Sequence, residues 1–288
     1  MSDSQPDPSL EATPSDLGSN SERAAKLEHF VAEVRKALDG RRPNLGPNLV
    51  QVSPGGKTFA TIGEALASIT DASQKKQYVC YIGPGTYNEI VVCKPWVFLQ
   101  GEGPDQTIIA NSPAAGSKQH ATVVGASNSA IQNLAATATS QAKFTTTVAL
   151  ACNGVTNFDI ENCSVLATDT LDTFTWALVI DFDTFGTGLG STVNLAYSSV
   201  IAQTIPRNVS IGLGASNQSV VLVTQSKIVC TGIGGNGAQA TGNSQMTLYN
   251  SYVEGVTYCL TVPDEKSICV ANQCELKGPV DPMVVVNP

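Results

Sequence analysis

The sequence predicts an all-β solenoid: a right-handed parallel β-helix with an N-terminal capping α-helix and one additional N-terminal helix. Three observations predict it. Residues 53–110 pass from a short amphipathic helix into apolar strands separated by Gly- and Pro-marked turns. A strand template then recurs to the end of the chain. Charged residues are only 14% of the whole, against about 25% in ordinary domains. From Asn111 to Tyr258 the only basic residues are Lys118, Lys143, Arg207 and Lys227, as suits stacked strands with neutral polar outer faces.

Residues 1–18 are acidic and rich in Pro and Ser, and are expected to be a disordered tail. Ser19 and Glu22 then form a capping box. Leu27, Phe30, Val31, Val34 and Leu38 follow at helical spacing and Gly40 supplies a stop, so residues 19–40 read as an amphipathic helix. Its apolar stripe must be covered, by the solenoid flank or by another chain. Residues 41–52 are a linker, and residues 53–288 form the β-helix domain. Within it Phe59, Ile62, Leu66 and Ile69 share one face of a helix over residues 59–69, expected to cover the open end of the first coil. Tyr78 to Ile82 and Ile90 to Val92 alternate as strands, with Gly83-Pro84-Gly85 as the turn between them.

The recurring template is apolar, x, apolar, x, x, small, x, apolar. Phe158, Ile160, Cys163 and Val165 fit it, as do Val193, Leu195, Ser198 and Val200. Val221, Val223, Ser226 and Ile228 repeat it, then Met246, Leu248, Ser251 and Val253, and last Cys269, Ala271, Cys274 and Leu276. The small residue advances from 163 to 198, 226, 251 and 274, in steps of 35, 28, 25 and 23. Stacking fixes strand length, so the excess between Val165 and Val193 belongs to turns, where solenoids commonly bind partners.

The net charge of −8 and the lack of a basic cluster argue against nucleic acid as a partner. No apolar run reaches the 18 residues of a membrane span. The first residues lack the basic start and apolar core of a secretory signal, so the expectation is a cytoplasmic protein or one exported without such a signal. Eight cysteines without a C-x-x-C pair, and only two histidines, argue against zinc, and no cofactor is expected. Cys80, Cys163 and Cys274 fall where small inward residues belong, so the cysteines read as reduced core residues.

Residues 53–110 resemble the N-terminal part of the pectin methylesterase family, whose fold is the pectin lyase-type β-helix. The likeness lies in GGKTFATIGEALASI, YVCYIGPGTYNEIVV and WVFLQGEGPDQTII. The resemblance implies a carboxylate nucleophile, a second Asp as acid and base, two Gln oxyanion donors and an Arg. The family's first Gln segment corresponds to Thr146-Thr147-Val148-Ala149-Leu150-Ala151, without the Gln. Its acid/base segment corresponds to Ala167-Thr168-Asp169-Thr170-Leu171, with the Asp but not the Gln. Its nucleophile segment resembles Asp181-Phe182-Asp183-Thr184-Phe185-Gly186, only 12 residues after Asp169. No G-R-P-W segment exists, and Arg207 is the only arginine after Arg42.

Asp169, Asp181 and Arg207 are therefore the candidate catalytic residues, with Asp172, Phe174, Trp176, Asp183 and Phe185 as candidate ligand-binding residues. Paired carboxylates beside aromatics suit sugar binding or glycosidic acid/base work, or a calcium ion; solvated turn carboxylates would read the same. Loss of one oxyanion donor costs about 10²–10³ in rate, and here both Gln donors are missing. The reading thus leans to a non-catalytic or catalytically degenerate pectinesterase-like β-helix acting as a binding or structural module. A divergent carbohydrate esterase using paired aspartates is the alternative, and another carbohydrate-active enzyme on the same scaffold a third. A polysaccharide ligand, and through helix 19–40 a second copy or a protein partner, are the partners this reading allows.

Overall fold

The structure, a computed structural model, describes residues 48–55, 58–111, 121–140, 146–170, 174–181, 190–204, 209–232 and 234–288. The chain divides into the units Met1–Arg42 and Pro43–Pro288, and every described residue belongs to the second. The expected tail and the helix of Leu27, Phe30 and Val34 lie outside the described residues.

The described chain winds through three parallel sheets in a fixed order. Sheet 1 has ten strands, from Leu49–Val52 through Phe158–Glu161 to Val285–Asn287. Sheet 2 has eight, from Gly85–Asn88 through Ser164–Asp169 to Glu275–Lys277, and sheet 3 seven, from Val91–Val92 through Phe174–Ile180 to Tyr258–Thr261. Between the ends of the stack each coil contributes one strand to each sheet, so neighbours across a ladder lie one coil apart. Phe158, for example, pairs with Ser129 on one side and Val193 on the other. The result is a parallel β-helix.

The template residues form its interior. Phe158, Ile160 and Val165 are fully buried, as are Leu195, Val200, Val223, Ile228, Leu248 and Val253. The first two template positions point inward from sheet 1, the small residue takes the corner, and the last points inward from sheet 2. The template overlooked one coil. Ile131, Leu134 and Ala136 occupy the same places, but Ser129 and Leu134 break the apolar and small positions. The turn at Gly83-Pro84 is also tighter than expected, because the chain already rejoins a sheet at Gly85–Asn88.

The capping helix spans Ile62–Ser68, shorter than the expected 59–69. Thr61 caps it, accepting the backbone N–H of Glu64 at 3.2 Å. Ile62, Leu66 and Ile69 are buried with Val52, Cys80 and Ile82 of the first coils. No helix of the described residues is long and apolar enough to cross a membrane. All eight cysteines are free; seven are buried and Cys274 is half-buried.

Candidate functional site

Asp169 ends the strand Ser164–Asp169 at the corner from sheet 2 to sheet 3. Strand alternation turns Val165, Ala167 and Asp169 toward the interior, and Asp169 is 2% exposed. A carboxylate withdrawn from water needs donors. Ser140 of the preceding coil donates its hydroxyl to Asp169 Oδ1 at 2.6 Å, and the Ser140 hydroxyl oxygen in turn accepts the N–H of Thr170 at 3.1 Å. On the following coil Thr204 stands in register with Asp169. Hydroxyl side chains therefore flank Asp169 on both adjoining coils.

Asp181 follows the strand Phe174–Ile180, at the corner from sheet 3 to sheet 1. It is buried in a left-handed backbone conformation with φ 49°. Its N–H donates to the carbonyl of Cys152 at 2.9 Å, and its own carbonyl accepts Asn217 Nδ2 at 2.6 Å. A whole strand separates it from Asp169. At about 3.3 Å per residue, that strand is roughly 20 Å of extended backbone. A nucleophile and a proton donor for one ester must both reach the reacting atoms at about 3 Å. Asp169 and Asp181 stand at opposite ends of the strand Phe174–Ile180, at different corners of the coil.

Phe174 and Trp176 share the outer face of sheet 3, where alternation sends both outward. Phe174 is 57% exposed, beside exposed Val209 of the next coil. Trp176 is half-buried, in register with Ile211. Its ring rests on Gly214, where a Cβ would come within 2.6 Å of Trp176 Cζ3. Gly214 is thus the floor that lets the indole lie close to the sheet. Val148 and Val179 continue the apolar outer face. Asp172, Asp183, Phe185 and Arg207 lie outside the described residues. Among the described residues no group of three His, Cys, Asp or Glu side chains could hold a metal ion.

Sequence reasoning missed Ser140 as the partner of Asp169, and Ile211 and Gly214 beside Trp176. These neighbours lie about one coil away along the chain, so no local motif joins them. The signal was the template itself, which sets the coil length and hence which residues stack.

The pectinesterase family model matches residues 48–177. Among solved structures, pectin methylesterase from carrot is 18% identical, with 82% of this chain and 84% of that chain covered and a TM-score of 0.50. Pectin methylesterase PemA from Erwinia chrysanthemi is 14% identical, with 83% and 92% covered and a TM-score of 0.52. The Aspergillus niger pectin methylesterase is 16% identical, with 83% and 88% covered and a TM-score of 0.53. At such identities the likeness is one of fold. Compared by sequence with curated proteins, the chain matches none. With three parallel sheets wound as in those structures, the chain is a parallel β-helix, and over residues 48–177 its sequence is similar to the pectinesterase family.

Proposed function

We propose that this β-helix is a non-catalytic polysaccharide-binding module that holds its ligand on the outer face of sheet 3 through Phe174 and Trp176. The observation that carries the reading is the surroundings of Asp169: an inward side chain tied to Ser140, with hydroxyl residues on both adjoining coils and Asp181 a strand away. Ester hydrolysis through a carboxylate needs a second acidic group and oxyanion donors at the same carbon. An aromatic pair on a flat strip, by contrast, suits the apolar faces of pyranose rings.

The pectin methylesterase fold supports a pectin-like polysaccharide as the ligand class. Titration calorimetry with methyl-esterified oligogalacturonides is expected to register binding, weakened about tenfold by Phe174→Ala. No methanol is expected from methylated pectin. Methanol release abolished by Asp169→Ala would overturn the reading in favour of an esterase.

A further inference from the structure

The corner between sheets 1 and 2 turns on one left-handed residue per coil. Along the stack these are Asn133, Asn162, Tyr197, Gln225, Asn250 and Gln273, with φ between 45° and 53°. Asn tolerates this conformation well, whereas a bulky side chain there is a strained outlier. Asn133 and Asn162 show what the corner favours: their side chains stack, Asn162 Nδ2 donating to Asn133 Oδ1 at 2.6 Å. Tyr197 breaks the row of amides. It is 58% exposed, so burial of the ring does not offset its backbone strain. Retained strain of this kind concentrates at functional positions.

What surrounds Tyr197 is an open groove of about 610 Å³. Asn162, Gln225 and Asn250 line it from the neighbouring coils, with Lys227 and Tyr252 along one wall. Tyr252 is fixed in place: its hydroxyl donates to Glu254 Oε2 at 2.6 Å, and the Lys227 ammonium sits 5.6 Å from its ring centroid. Asn162 to Asn250 spans three coil steps of about 4.8 Å, or about 14 Å along the stack. The groove thus offers two tyrosine rings and a line of primary amides, each both donor and acceptor. Rings suit the C–H faces of pyranoses and amides suit their vicinal hydroxyls, and the length suits several linked sugars.

We propose that this corner is a second saccharide site, which takes a linear pyranose oligosaccharide along the stack with Tyr197 as its stacking platform. It is separate from the sheet 3 face and does not depend on it. A hydroxyl-bearing pyranose chain could be neutral or acidic, so the probes are cellohexaose and hexagalacturonate, titrated calorimetrically against the full chain.

Tyr197→Ala is expected to remove one site, or to weaken it at least tenfold, for whichever hexasaccharide binds; Phe174→Ala is expected to leave that site intact. If the sheet 3 reading alone is wrong, the wild type binds at one site and Tyr197→Ala abolishes it. Tyr197→Asn should lose the same site while raising Tm by about 2–4 °C, since Asn relieves the backbone strain. A Tm lowered by Tyr197→Asn would assign the ring to packing and overturn the proposal. So would binding of both hexasaccharides left unchanged by Tyr197→Ala, or no binding of either by the wild type.

Discussion

Hydroxyls at the corners hold neighbouring coils together. Where the backbone turns between sheets, its N–H groups leave the ladder and need other acceptors. At the corner from sheet 1 to sheet 2, Cys163 N–H donates to Ser198 Oγ at 3.0 Å, Ser198 N–H to Ser226 Oγ at 3.1 Å, and Ser226 N–H to Ser251 Oγ at 3.2 Å. Each hydroxyl in turn donates to a carbonyl of its own coil, Ser226 to Thr224 at 2.8 Å. A second series, Ser191, Ser219, Ser244 and Ser267, makes the same N–H to Oγ bonds from coil to coil at the corner from sheet 3 to sheet 1. Ser226→Ala would leave the buried Ser198 N–H without its acceptor, at a cost of about 1–3 kcal/mol. Urea unfolding should show it as a lower midpoint at unchanged slope.

At the scale of elements, the capping helix is held from outside itself. Seven residues are too few for a helix to stand alone. Burial of Ile62 and Leu66 supplies one support, and the carboxylate of Glu89 the other. Its two oxygens accept the N–H groups of Ile62 at 2.8 Å and Gly63 at 2.9 Å, at the positive end of the helix dipole. Glu89→Ala is expected to destabilise the cap by about 1 kcal/mol. Hydrogen exchange should rise in Ile62–Ser68 before it does in the central coils.

The whole molecule carries its cysteines as core residues, and this gives it an alkaline weakness. Burial, the first cause in each case, pushes the thiols of Cys80, Cys93 and Cys163 up to about 12; the Glu89 charge adds to the effect at Cys80. Folded pKa values above the unfolded value near 9 mean that this stability is complete below about pH 9 and is lost as pH rises toward 12. The loss is on the order of 1 kcal/mol per thiol for each pH unit in that window. Thermal unfolding under reducing conditions should therefore show Tm falling steeply above pH 9. Cys163→Ala should make that fall shallower; an unchanged slope would contradict the assignment.

The stack itself was legible because its causes are local and repeated. Period-two alternation marks Phe158, Ile160 and Val165 as inward wherever the strands pair, and the small residue at 163, 198, 226, 251 and 274 marks each corner. The same template held an unread signal, since the position before each small residue is Asn162, Tyr197, Gln225, Asn250 or Gln273, and only one is aromatic. The candidate site was legible only as a list of residues. Asp169 and Asp181, 12 positions apart, look like neighbours along the chain, yet an intervening strand carries them to different corners. Ser140 and Asp169, 29 positions apart, look unrelated and are in contact. The sequence by itself determined that this chain coils, how long each coil is and which end is capped, since side-chain periodicity dictates burial. Only the tertiary structure decided which residues share a corner, because coil-to-coil register brings together groups that no local pattern connects.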